Sequence, residues 1–466
     1  MSQWFLPLPE FALCHLLHPL YTSKGATSSA WQAKHAYAMI TDALACELPH
    51  SSKRPQDAEV ESVHKDKEPL STGGALEGLR VLEPARYLSG PVAGMLLADL
   101  GAEVIHIEEP HSGDGLRQYG FTVGDQSSRF LWVGRNKKSV TLNLRSARGV
   151  ELFKELVKRG DVVIVNFAPG TMDRLGLGYA VLEQVNPRII VASISGFGDC
   201  GPDRDRVGFD LVGQAAGGLL YMTGHPDGPP ARAGTAMADI LAGLLALYGI
   251  MACLYCRDRT GRGQFIDVSL MDSAFFTLGY QFLEHVNFGL EGKRSGNRYP
   301  GAGVTDLFEA KDGYIALTAP NDRMWQDLVK VMGREELLED PRLATNLDRA
   351  QHADLVCGVI QEWCRGKTVK EVDDALRRAQ VPCCPLYSFD DLVEHPSLLE
   401  REMVITREGT VFGTLRMPGV PIKLSATPGS IGTMAPALGE HNEEVYCGLL
   451  GLGKGQLESL RGEGVI

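Results

Sequence analysis

The 466-residue chain is 44% hydrophobic and 22% charged, with a formal net charge of −12. That profile fits a globular protein long enough for two domains with sizeable cores. The acidic balance speaks against a nucleic-acid partner, whose phosphates need a basic face, but leaves room for a phosphorylated small ligand held by a few local cations. Ten cysteines in a chain of this length form no disulfide framework and suit a reducing compartment.

In chain order, Trp4 to Leu20 is apolar and aromatic but interrupted by Pro7, Pro9, Glu10 and Pro19. It has no basic region, and no arginine precedes Arg54, so neither a secretory signal nor a mitochondrial presequence is predicted. Residues 48–76 are polar and read as a linker, which makes 1–75 an extension of unassigned role. Four β-rich runs then alternate with helical patterns: Leu79 to Leu82, Glu103 to Ile107, Asp161 to Asn166 and Arg188 to Ile194. The first helix is expected over Pro91 to Leu100. A second carries an apolar stripe at Val150, Phe153 and Val157 and stops at Gly160. This alternation predicts an α/β fold with a doubly wound parallel sheet, whose ligands bind beyond the carboxyl ends of the strands. Ser89-Gly90-Pro91-Val92-Ala93-Gly94 after the first strand is not G-x-G-x-x-G, and Pro91 removes a donor, so a dinucleotide site is disfavoured.

Further on, Asp239 to Leu254 is apolar all round and is expected to be a buried helix, with Cys253 and Cys256 as core residues. No run is read as approaching the roughly 18 apolar residues of a membrane span, so no membrane partner is expected. Phe265 to Ser269 reads as a strand, and Gly289 to Gly303 as a crossing between domains. Asp306 to Ala319 reads as a hairpin around Lys311-Asp312-Gly313, Asp322 to Gln380 as helical, and Val404 to Pro418 as strand.

Several residues are candidates for chemistry. Asp210 sits between apolar neighbours and a run of small residues; it is either a plain helix N-cap or a carboxylate stabilised at a helix start. Gly301 and Gly303 offer backbone donors to a developing oxyanion, or form a flexible turn. Arg135-Asn136-Lys137-Lys138 is a cationic run that either holds phosphates or is a solvated face. Asn166-Phe167-Ala168-Pro169-Gly170 ends a strand where a cofactor would rest, or is an ordinary turn. His106, alone in a strand, reads as a satisfied packing residue.

Together, LEGLRVLEPARYLSGPVAGMLLADLGAEVIHIEEPHSGD, DVVIVNFAPGTMDRLGLGY, SISGFGDCGPDRDRVGFDLVGQAAGGLL, GTAMADILAGLLALYGIMACL and RTGRGQFIDVSLMDS resemble the type III CoA-transferases, a family (CaiB/BaiF-like) that also contains α-methylacyl-CoA racemases. The similarity runs from about Leu76 to the C-terminus. It implies a Rossmann-like large domain (76–290) that binds CoA, a small α+β domain (291–400), and a C-terminal segment (401–466) that returns to the large domain. It also implies an interlocked homodimer whose active site lies between the large domain of one subunit and the small domain of the other. The family nucleophile falls on Asp210, and the glycine loop that covers the intermediate falls on Pro300 to Gly303. CoA contacts fall on Ser89, Gly90, Asn166, Phe167, Gly170 and Arg174, and further on Arg117 and Lys138. CoA and acyl-CoA are the implied substrates with a carboxylic acid; neither a metal nor ATP is implied, and a cytoplasmic or mitochondrial-matrix location is expected.

The racemase branch needs an acid and a base on opposite faces of the α-carbon. Its members carry His where this chain has Phe209, which transfers no proton; a second racemase acid falls near Asp239. Transfer is therefore the favoured reading, with racemisation and non-catalytic CoA binding as alternatives. GTAMADILAGLLALYGIMA and KDGYIALTAPN resemble the succinyl-CoA-dependent branch, whose acceptors include dicarboxylates such as glutarate. Arg232, Arg294 and Arg298 are candidate partners for a second carboxylate.

Overall fold

A computed structural model describes residues 74–466 apart from Asp125. The expected extension lies outside the described residues except for its last two positions. Six strands form one sheet: β1 (Arg80–Glu83), β2 (Glu103–Glu108), β3 (Lys137–Thr141), β4 (Val162–Val165), β5 (Ile190–Ser195) and β6 (Phe265–Ser269). Every pairing is parallel and the spatial order is 3-2-1-4-5-6. The central strands are apolar and buried on both faces, as covered parallel strands must be. Helix α1 (Ser89–Asp99) is buried along its whole length, and α2 (Ala147–Val157) turns Leu152, Phe153, Leu156 and Val157 into a core on the other face of the sheet. Helix α1 begins two residues earlier than expected, so Pro91 still lies in the first turn, where no intrahelical N–H is needed.

A separate core forms around a three-stranded antiparallel sheet: β7 (Thr305–Ala310), β8 (Gly313–Thr318) and β9 (Cys383–Pro385). The expected hairpin turns at Lys311-Asp312, and Trp325, Leu328, Val356, Ile360, Val372 and Leu376 pack on its apolar side. A further hairpin pairs β10 (Val404–Thr410) with β11 (Gly413–Pro418). The C-terminal residues pack on β3: Asn442 bonds Thr141 through backbone and side chain, and the Tyr446 hydroxyl donates to Thr141 O at 2.8 Å.

The long apolar helix runs over Met237–Thr260. Its uncharged stretch Ile240–Cys256 makes it long and apolar enough to cross a membrane, which corrects the reading that no run approaches that length. One face packs against α1 and β5. The expected all-round burial is also corrected, because among the described residues the opposite face is left open, with Tyr248 75% and Tyr255 71% exposed.

The cationic run Arg135 to Lys138 is neither solvated nor a free phosphate site. The Arg135 guanidinium is buried against Asp99, with Nη2 2.6 Å from Oδ2. Lys137 Nζ lies 2.7 Å from Glu83 Oε2 and 2.8 Å from Pro91 O. Lys138 bridges Glu103 and Glu444 at 2.6 and 2.7 Å. Glu83 also meets His106, whose Nδ1 lies 2.8 Å away and whose Nε2 faces Asp114 at 3.5 Å. Next along β2, Glu108 takes both Nε and Nη2 of Arg117 at 2.7 Å and the Ser139 hydroxyl. Apart from the part-exposed Lys138 with Glu103 and Glu444, these charges are buried, where each is tolerable only because its partners are present. Burial alone would lower the His106 pKa, but the Asp114 and Glu83 carboxylates and the Glu108 charge raise it to about 9. Burial would raise Glu108, yet Arg117, His106 and Ser139 bring it down to about 2.

Two predictions follow from this interior. The His106 contribution to stability is full below the ordinary histidine value near 6.5 and is lost as pH rises through about 9. Denaturant midpoints should therefore fall from pH 6.5 to pH 9 more steeply in the native protein than in His106→Gln; equal slopes would contradict it. A Cβ on Gly94 would stand 1.9 Å from Glu83 Oε1, so Gly94→Ala should lower stability by about 1–3 kcal/mol in denaturant titrations.

Candidate active site

Strand order reverses between β1 and β4, and ligands in such sheets bind outside the carboxyl ends at that point. A cleft of about 270 Å³ opens there, lined by the β1–α1 loop, the end of β4, the end of β5 and residues 206–209. A neighbouring cleft of about 220 Å³ shares Phe167, Ala168 and Pro169 and extends toward Gly170 and Asp199.

Asp210 is the first residue of helix α3 (Asp210–Ala216), and Phe209 is its N-cap, so the plain N-cap reading of Asp210 is corrected. Both carboxylate oxygens are held. Oδ1 accepts the Ala238 N–H at 2.8 Å, and Oδ2 accepts Gln214 Nε2, also at 2.8 Å. Gln214 is buried and is fixed in turn because its Oε1 accepts the Ala233 N–H at 3.0 Å. The carboxylate is thus oriented, half-buried and still beside the cleft. Asp239, one residue beyond Ala238, lines the cleft; burial first and the Asp210 charge second push its carboxyl up to about 7.

The β1–α1 loop is braced rather than free. Asn166 Oδ1 accepts the Arg86 N–H at 2.8 Å and its Nδ2 donates to Arg86 O at 2.5 Å, so this predicted CoA contact shapes the wall of the cleft. Tyr87 holds a left-handed backbone at φ 60°, rare for a residue with a side chain. Its N–H points at both oxygens of buried Asp114 at 3.1 Å, and its ring meets Phe209 edge-on with centroids 5.9 Å apart. Ser89 lines the cleft. Gly90 does not: it is buried where a Cβ would stand 2.4 Å from the Ala85 Cβ, so it lets helix α1 pack closely on the β1–α1 loop.

Phe167 lies in both clefts with the Arg86 guanidinium 5.8 Å from its ring centre. Gly170 lines the second cleft at φ 74°, beside the exposed Arg174 and near Arg204. Two other expected contacts are engaged within the chain. Arg117 is buried, with its fork on Glu108 and Pro436 O and its face over Phe130 at 3.8 Å. Lys138 is spent on Glu103 and Glu444.

Gly301 and Gly303 line a different cavity, of about 750 Å³, which does not include Asp210. The Gly303 N–H already donates to Asn346 Oδ1 at 2.9 Å, while Gly301 is exposed. Arg298 is held by Asp306 and Asp354, Arg294 by the carbonyls of His225 and Gly228, and Arg232 is exposed. Sequence reasoning missed Gln214, although its i, i+4 spacing from Asp210 was visible. It also missed Tyr87, whose backbone strain leaves no mark in sequence.

The CoA-transferase family III model matches residues 76–442. The chain is 36% identical over 395 residues to the succinyl-CoA–D-citramalate CoA-transferase of Chloroflexus aurantiacus, covering 84% of this chain and 98% of that one. It is 39% identical over 418 residues to the formyl-CoA:oxalate CoA-transferase of Streptomyces coelicolor (85% and 100%). Against the succinyl-CoA:glutarate CoA-transferase of Mus musculus it is 34% identical over 392 residues (84% and 90%). The crystal structure of a CaiB/BaiF family protein from Brucella suis superposes with a TM-score of 0.72 at 34% identity, over 81% of this chain and 100% of that one. The chain belongs to CoA-transferase family III and is a CoA-transferase.

Proposed function

We propose that this CoA-transferase moves CoA from an acyl-CoA donor to a carboxylic acid through covalent intermediates on Asp210. The observation that carries the proposal is a carboxylate pinned through both oxygens beside a cleft at the reversal point of the sheet. One Asp210 oxygen attacks the thioester carbonyl; the C–S bond breaks, thiolate leaves, and a mixed anhydride forms. The thiolate then attacks the aspartyl carbonyl, releases the donor acid and leaves an aspartyl-CoA thioester. The acceptor carboxylate attacks that carbonyl and expels thiolate. The returning thiolate takes the acceptor acyl group and frees Asp210. If Oδ2 is acylated, Oδ1 becomes the carbonyl oxygen, and the Ala238 N–H is already placed to stabilise the oxyanion formed there.

The Rossmann-like domain at 76–290 would bind CoA, with Ser89 and Phe167 against the pantetheine arm and Gly170 and Arg174 near phosphate. Succinyl-CoA is the proposed donor and a dicarboxylate the proposed acceptor, because relatives named for succinyl-CoA transfer align over most of the chain. An interlocked homodimer completes the site: the small domain at 291–400 would bring the loop at Gly301 over the partner's nucleophile. The exposed apolar face of the long helix, together with Phe276 and Phe288 at 74% and 70% exposure on the two helices that follow it (Leu270–Phe276 and Gly279–Phe288), supports such an interface.

Native protein incubated with succinyl-CoA and a panel of carboxylic acids should give new acyl-CoAs by mass spectrometry, and Asp210→Ala should give none while still binding CoA. Retained turnover in that variant would remove Asp210 from the mechanism. Light scattering should report twice the 50.6 kDa chain mass, and a monomer would contradict the shared site.

A further inference from the structure

Asp239 is the one acidic side chain among the described residues that line the cleft beside Asp210. Its carboxyl makes no hydrogen bond or ion pair with any described residue. The half-buried carboxyl opens on the cleft, where a bound substrate is placed to become its hydrogen-bond partner. Its position is fixed by the same backbone that holds the nucleophile, because the preceding residue, Ala238, donates to Asp210 Oδ1.

We propose that Asp239 is a substrate-contacting residue of the transfer reaction: its carboxyl group donates a hydrogen bond to the acyl or carboxylate oxygen that meets Asp210. This rests on the CoA-transfer reading above and adds to it a donor on the substrate's side of the cleft. The acceptor acid is an anion and Asp210 is a second one, so a third negative charge at Asp239 would repel what the site must gather. Asp239 keeps its proton throughout; the bond that forms is from Asp210 to the acyl carbon, and the bond that breaks is C–S.

Burial and the Asp210 charge favour the protonated form, whereas any cation in the cleft would favour the carboxylate. Arg86 from the β1–α1 loop and Arg206 from the loop before α3 line the cleft, Ser195, Gly196 and Leu270 add no charge, and Asp210 stands at the head of α3. Burial and then Asp210 set the titration of Asp239 near 7. Two carboxyls whose environments part their protonation states can take different roles, one nucleophile and one donor. Racemisation would need a base on the opposite face of the substrate, where Phe209 offers none.

The test uses the full-length protein and a carba-dethia analogue of succinyl-CoA, which presents the carbonyl but has no sulfur to expel. Calorimetry at pH 8 in two buffers of different ionisation enthalpy should show proton uptake on binding, approaching one per site. Asp239→Asn, which keeps a donor but does not titrate, should abolish that uptake. In turnover, kcat/KM of the native enzyme should fall as pH rises from 6 to 8.5, the Asn variant should flatten that decline, and Asp239→Ala should lose roughly tenfold or more at pH 6. Unchanged uptake in the Asn variant, or an Ala variant as active as the native enzyme, would overturn the proposal. The calorimetric arm decides the role of Asp239 without turnover, whereas activity surviving in Asp210→Ala would instead bring down the covalent mechanism. If Asp239→Ala does not fold, the Asn variant carries the test alone.

Discussion

The site depends on two hydrogen bonds that converge on one carboxylate. Asp210 receives the Ala238 N–H on one oxygen and the Gln214 amide on the other, each at 2.8 Å. The first donor comes from the start of the long helix over Met237–Thr260, and the second from one turn into the helix that Asp210 begins. In the proposed mechanism, orientation of this kind would make the carboxylate a directed nucleophile, because the entropy of alignment is lost in folding rather than at the reacting step. Gly213 permits the arrangement: a Cβ there would stand 2.7 Å from the Leu270 Cβ and push the helix off its seat.

Behind the cleft lies the buried charge network of Glu83, His106, Lys137 and Asp114. Its outermost member, Asp114, accepts the Tyr87 N–H and so holds the loop in its left-handed turn. The interior of the sheet is therefore continuous with the wall of the site. Ion pairs buried this deeply add little net stability over apolar packing, but they fix one arrangement, since a shifted partner leaves a bare charge in a dry interior.

Much of the fold was legible because covered parallel strands are written as short apolar runs, and β1, β2, β4, β5 and β6 all fall on such runs. Strand β3 was not, because Lys137-Lys138-Ser139-Val140-Thr141 reads as a charged turn until Glu83 and Glu103 are placed beside its lysines. The same blindness to partners in other elements hid the ion pair of Arg117, whose carboxylate, Glu108, stands nine positions away. The long helix failed for another reason. Periodicity reports that all its faces avoid water but not what covers them, and among the described residues only one face is covered. At the site, Asp210 emerged from resemblance, since its residues alone allowed an ordinary cap. Asp239 was visible only as a racemase acid, because its lack of a partner is a property of the folded cleft.

The central claim is that an Asp210 oxygen becomes acylated during turnover, and chemical trapping tests it most directly. Enzyme quenched during exchange in hydroxylamine should yield a single peptide carrying a hydroxamate at position 210, and borohydride should reduce the same residue. An unmodified peptide from enzyme that is turning over in the same tube would contradict the account.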